Sequence, residues 1–174
     1  ILSYKDKNIE IDTVFFGGGT PSVLTPFEFE KIVKAIKETF ALKADCEFTL
    51  EANPGTVSLE KLVAYKNAGV NRISLGLQSI HENEQKILGR IHNYNDFENS
   101  FLMCRSLGFS NINVDLMYGI PEQTVESFEK TLDEVIALSP EHISAYGLIV
   151  EDGTPFFNSR DKLGLPDEDT ECDM

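Results

Sequence analysis

The chain has 174 residues and 19.5 kDa, 41% of them hydrophobic, enough for one domain with its own core rather than a disordered segment. A formal net charge of −14 excludes a nucleic-acid backbone as partner, because phosphate contacts need clustered Lys and Arg. No apolar run approaches the ~20 residues that span a bilayer and no leader pattern opens the chain, so it reads as soluble and cytoplasmic.

Thr13 to Phe16 is a short apolar run stopped by Gly17-Gly18-Gly19, the first strand candidate. Thr25 then suits a helix N-cap, Pro26 the first helical position and Glu28 a capping box, with Ile32, Val33, Ile36 and Phe40 at helical spacing. Glu47 to Leu50 is the second strand. Ser58 caps a helix carrying Leu59, Leu62, Val63 and Ala68, stopped by Gly69. Arg72 to Gly76 is the third strand, followed by a short helix over Glu82 to Leu88 and a longer one holding Phe97, Phe101, Leu102 and Leu107. Asn111 to Asp115 is the fourth strand, ending at the Asp. Thr124 caps a helix with Phe128, Leu132, Val135 and Ile136, closed by Pro140, and His142 to Leu148 is the fifth strand.

The three cysteines stand far apart, without metal-ligand spacing. Cys46 and Cys104 are expected as buried packing thiols, and Cys172 as an idle one. Asp167, Glu168, Asp169, Glu171 and Asp173 read as a solvated acidic tail.

Five strands, each followed by a helix before the next, match the ~31 residues per unit of an eightfold barrel. The expected fold is α/β: parallel βα units forming a partial, open TIM-like barrel in a single domain. In such folds ligands bind at the carboxyl ends of the strands, where the odd residues of this sequence fall. Three consecutive glycines let a ligand approach the backbone closely, which a tight turn alone does not require. Glu51 can accept from ribose hydroxyls or pair with an ammonium group, or simply cap the next helix. Gln78 offers a donor and an acceptor, and taken alone favours neither a site nor a surface role. Asp115 lies in a nearly continuous apolar strand and needs a partner, for which the Arg90 guanidinium is the natural choice. His92 reads equally as a ligand or as a solvent-facing loop imidazole.

The segments FGGGTPS (16–22), EANPGT (51–56), GVNRISLGLQS (69–79), LGRIHN (88–93) and NVDLMYGIPEQT (113–124) are similar to the oxygen-independent coproporphyrinogen oxidase-like radical SAM family. The match runs from about Thr13 to Phe156. EANPG and GRIH most resemble its haem-chaperone branch, which binds haem and delivers it to an acceptor protein. The resemblance implies S-adenosylmethionine (SAM) and a [4Fe–4S] cluster as cofactors, with haem or porphyrinogen as the molecule handled. By position, Gly18, in the Gly17–Gly19 turn, resembles a backbone contact to the methionine end of the SAM bound at the cluster, and Glu51 the polar partner of that same SAM. Gly19, Thr20, Gln78, Arg90, Asp115 and Ile149 match positions lining a second SAM site in the oxidase branch. The alternative within the family is the oxidase itself, which decarboxylates two propionates of coproporphyrinogen III to vinyls.

The family's C-x-x-x-C-x-x-C cluster motif does not occur in these 174 residues. The first strand here resembles the family's second, so the expectation is a core fragment over 1–174, with an acidic tail from about 158 and the cysteine loop upstream of Ile1. Taken alone it is expected to bind no cluster and cleave no SAM, and no residue is assigned as catalytic or metal-ligating. Two readings outside this one remain: an unrelated α/β enzyme with a glycine phosphate cradle, which would want a cation nearer than Lys31, and a relative without a cluster acting only as a binding module.

Overall fold

The computed structural model describes Tyr4 and residues 9–174. Five strands alternate with helices in the expected order: β1 (Glu10–Phe16), α1 (Pro26–Thr39), β2 (Ala41–Ala52), α2 (Leu59–Ala68) and β3 (Arg72–Gln78) come first. They are followed by α3 (Glu82–Ile87), α4 (Tyr94–Ser106), β4 (Ile112–Tyr118), α5 (Val125–Ala137) and β5 (His142–Gly147). All neighbours pair in parallel, in the sequential order β1-β2-β3-β4-β5. Each crossover therefore lays its helix on the same side, and the sheet is an open half-barrel.

The helices begin where side chains satisfy their free N–H groups. Thr25 and Glu28 form the capping box of α1 behind Pro26, Ser58 accepts from Lys61 N–H at α2, and Thr124 accepts from Ser127 N–H at α5. Asn93 and Asp96 make a further capping box at α4. Each such cap is worth about 1 kcal/mol.

Period-two alternation divides the strands into two faces. Phe48 and Leu50 on β2, Ile73, Leu75 and Leu77 on β3, and Ile112, Val114 and Leu116 on β4 face the helices and are buried. They pack with Phe29, Tyr65, Phe97, Phe101, Phe128 and Val135 into one core. Phe29 lies edge-on to Tyr65 at 4.7 Å. Burial raises the Tyr65 phenol to about 12, and its hydroxyl has no hydrogen-bond partner. The other face is polar: Thr49, Glu51, Arg72, Ser74, Asn113, Asp115, Ser144 and Tyr146 lie along it.

Four expectations need correction. β4 runs three residues beyond Asp115, which sits mid-strand opposite Gly76 and Ser144 rather than at a strand end. β2 begins six residues earlier than its apolar part, because Ala41 and Leu42 pair with Glu10 and Ile11 before the register shifts. Cys104 is buried, its thiol pushed up to about 12, but Cys46 lies on that polar early part of β2 and is only half-buried. The acidic tail is not simply solvated. Pro155–Asn158 forms the short α6, and Glu168–Asp173 forms α7, capped by Asp167, touching α5 and seating Met174 against the core while its acids stay exposed.

Candidate functional site

At the carboxyl ends of the strands the polar face opens into a cleft of about 150 Å³ lined by Gly19, Thr20, Pro21, Glu51, Ala52, Asn53, Ser74, Gly76, Gln78 and Asp115. Residues from β1 through β4 thus meet in one space, as the fold requires of strand-end loops.

The triglycine turn follows β1, and Gly18 N–H donates to Glu51 Oε2 at 3.2 Å. Gly18 has φ +77°, a left-handed conformation that L side chains rarely adopt. A Cβ on Gly17 would meet the Phe15 ring at 2.5 Å and Glu51 Oε2 at 3.0 Å, so a larger residue there would have to displace one of those side chains. Glu51 is the penultimate residue of β2 and sits beside Ser74 of β3.

Asp115 Oδ2 accepts from Ser74 Oγ at 2.9 Å and Oδ1 from Asn113 Nδ2 at 2.7 Å, while Ser144 Oγ donates to Asn113 Oδ1 at 3.0 Å. This ladder across β3, β4 and β5 supplies the partner that the carboxylate needs. Arg90 does not: it makes no ion pair with Asp115. Gln78 ends β3 at a register shift with φ +72°, and its Oε1 accepts from Tyr146 Oη at 2.8 Å. The Gln78 amide nitrogen stays available to donate into the cleft. Burial first of all raises the Tyr146 phenol, which is therefore neutral and donating.

Arg90, after α3, spans the boundary to an adjoining groove of about 300 Å³ lined by Thr20, Val23, Asn53, Pro54, Thr56, Gly89, Arg90, Ile91 and His92. Its Nη2 donates to Gly76 O at 2.6 Å and Asn53 Oδ1 at 3.0 Å, and lies 3.1 Å from His92 Nε2. Its Nε is buried without a partner. Burial lowers the guanidinium from its ordinary value. His92 is 7% exposed, not a solvent-facing imidazole, and burial followed by the Arg90 charge lowers it below its ordinary 6.5.

Of the residues singled out in the sequence, Gly19, Thr20, Glu51, Gln78 and Asp115 line the cleft. Gly17 and Gly18 abut it through Glu51, and Arg90 edges it from the groove. Ile149 follows β5, is 78% exposed and does not line the cleft. Two groups escaped the sequence reading. Asn53 bridges Thr20 Oγ1 at 3.1 Å and Arg90, joining three loops; its place in EANPG was the one available signal. Behind the cleft, Glu84 is 1% exposed and takes hydrogen bonds from Ser79 Oγ at 2.5 Å, Gln123 Nε2 at 3.0 Å and Ser127 Oγ at 2.7 Å. That network locks α3 to α5, and nothing local in the helix Glu82–Ile87 announces a buried acid.

Cys46, Cys104 and Cys172 lie on β2, α4 and α7, and among the described residues no three of His, Cys, Asp or Glu gather as a metal site. No described helix is long and apolar enough to cross a membrane.

Over residues 1–135 the chain matches the sequence profile of the radical SAM superfamily. It is similar to a protein named Heme chaperone HemW in Escherichia coli strain K12, 42% identical over 165 residues, which cover 95% of this chain and 43% of that protein. It is 39% identical to the HemW of Bacillus subtilis strain 168 over 168 residues, covering 95% and 44%. The chain spans less than half the length of these curated relatives. Among solved structures it superimposes on coproporphyrinogen III oxidase (HemN) from Escherichia coli, described as a radical SAM enzyme, with TM-score 0.84 and 29% identity, covering 94% of this chain and 38% of that one. The archaeal Elp3 of Methanocaldococcus infernus matches with TM-score 0.74 at 18% identity, covering 94% and 43%, a likeness of fold alone.

Proposed function

Because the chain belongs to the radical SAM superfamily, we propose that it forms the SAM-binding wall of a haem chaperone, a protein that holds haem and passes it to an acceptor. The observation carrying this is the convergence of the triglycine turn, Glu51, Gln78 and Asp115 on one cleft.

These groups fit SAM chemically. SAM supplies a sulfonium cation, ribose hydroxyls and an amino-acid end. Glu51 accepts from an ammonium or a hydroxyl while Gly18 N–H holds its other side. Gln78 donates its amide, and Asp115, fixed by Ser74 and Asn113, keeps lone pairs for a hydroxyl. Two carboxylates on the cleft wall favour a cationic ligand over an anionic one. Ile149 is left out of this reading, since it does not line the cleft. The described residues do not fit a [4Fe–4S] cluster, so no ligand to one is assigned among them and no step is routed through it. The domain reading is kept as a core over 1–174, with an acidic tail from about 158 that carries α7.

Chaperone is preferred to oxidase because relatives at 42% and 39% identity carry the chaperone name, whereas the oxidase structure is 29% identical. The test uses the full-length gene product, reconstituted without oxygen and assayed for stable haem binding and for coproporphyrinogen III turnover. Stable haem binding without turnover is expected. Robust formation of the divinyl product would replace this reading with the oxidase.

A further inference from the structure

Among the described residues Arg90 is a cation without an ion pair, although the nearby Asp115 charge favours its protonated form. Its Nη2 donates to two uncharged acceptors, Gly76 O and Asn53 Oδ1, beside a His92 Nε2 that itself contacts Gly76 O at 3.2 Å, and its Nε has no partner. The two hydrogens of that Nη2 serve these two oxygens, which leaves the Nε–H as the unsatisfied donor. A half-buried guanidinium with a buried donor left unpaired is costly unless an acceptor such as an anion completes it.

What fixes the guanidinium is Asn53. Its Nδ2 donates to Thr20 Oγ1 at 3.1 Å, which orients the amide so that Oδ1 meets Arg90. Its backbone N–H donates to Ser22 Oγ at 3.2 Å, and its carbonyl accepts from Thr56 Oγ1 at 2.6 Å. Lys61 Nζ donates to both Ser22 O and Thr56 O, tying the same two loops from below. The amide is therefore rigid, and it is neutral. An aspartate there would accept from Arg90 equally well and turn the contact into an ion pair.

We propose that Asn53 is a positioning residue that aims the Arg90 guanidinium while leaving its charge free for the carboxylate of a ligand. The inference rests on the SAM and haem reading, and two ligands of that reading carry the chemistry: the amino-acid end of a SAM-like nucleoside and a haem propionate. Placing a neutral acceptor at 53 gives the site one anion-seeking corner beside the Glu51 and Asp115 wall, so a ligand with both charge types is held in one orientation.

The experiment measures binding to the full-length protein of S-adenosylhomocysteine and haem, each beside its carboxyl methyl ester. Wild type should bind at least one acid about tenfold or more tightly than its ester, and the probe with this preference identifies the source of the carboxylate. Asn53→Asp is nearly isosteric, and the Thr20 hydroxyl can turn to donate to it. It should erase the acid-over-ester ratio with the melting temperature close to wild type. Arg90→Gln should erase it too, which covers an Asn53→Asp that fails to fold. An undiminished ratio in Asn53→Asp, or no preference in wild type for either acid, would overturn the proposal. Loss of haem binding alongside a persisting S-adenosylhomocysteine preference would instead sink the chaperone reading and leave Asn53 in its role.

Discussion

Ser74, Gly76 and Gln78 are separated from Ile73, Leu75 and Leu77 by one peptide bond each, yet the two sets occupy different chemical worlds. The helix-facing set packs against Phe97 and Phe101 with no exposed surface, while the opposite set meets Glu51, Asp115 and Tyr146 in an open, polar cleft. The same division runs through β4, where Ile112, Val114 and Leu116 alternate with Asn113 and Asp115. Stability and recognition are therefore carried by alternate residues of the same strands. A change on one face should leave the property carried by the other largely intact.

The largest effect is expected from Leu75→Ala, which opens a cavity in a fully buried position and should cost about 3 kcal/mol, read from the urea midpoint. Asp115→Ala on the other face should cost about 1 kcal/mol, because water in the open cleft can replace the lost partners of Ser74 and Asn113. It should nonetheless weaken the proposed binding of SAM by about tenfold, roughly 1.4 kcal/mol. A stability loss as large as that of Leu75→Ala would erase the division of labour.

The smallest effect sharpens the comparison at His92, where the adjoining groove and the packed interior meet. Burial and Arg90 lower the folded imidazole below its ordinary 6.5, so the unfolded chain takes up a proton first as pH falls. The imidazole's contribution is fully present above 6.5 and is lost as pH drops from 6.5 through the lower folded value. His92→Gln should therefore show a shallower decline of the urea midpoint between pH 7 and 5 than wild type. Equal declines would mean that the folded imidazole is protonated as easily as a free one.

Much of this was legible beforehand because it is local. Thr25, Ser58 and Thr124 announce their helices by capping chemistry, and the glycine turn after Phe16 announces a strand end. Asp115 reads as a strand terminus from its apolar neighbours, although Ile112-Asn113-Val114-Asp115-Leu116 alternates cleanly and that period carries the strand on to Tyr118. Its partner was misjudged because Ser74 comes from another strand and no sequence spacing encodes a cross-strand bond. Glu84 was invisible for the same reason: Ser79, Gln123 and Ser127 reach it only once α3 and α5 are packed. Early β2 is not legible because Lys43 to Asp45 carry no strand-like residue and fall in the register shift between Leu42 and Glu47, so only Ala41 and Leu42 pair with β1 ahead of it.

The sequential strand order also bears on how the molecule comes into being. Each new strand pairs with the one made just before it, so no strand must wait for a distant partner. During synthesis the sheet can lengthen by one βα unit at a time, each closing a loop of only a few dozen residues. Such short-range assembly favours rapid folding over long-range search, and it keeps at most one unpaired growing edge exposed to misassociation while the ribosome is still at work.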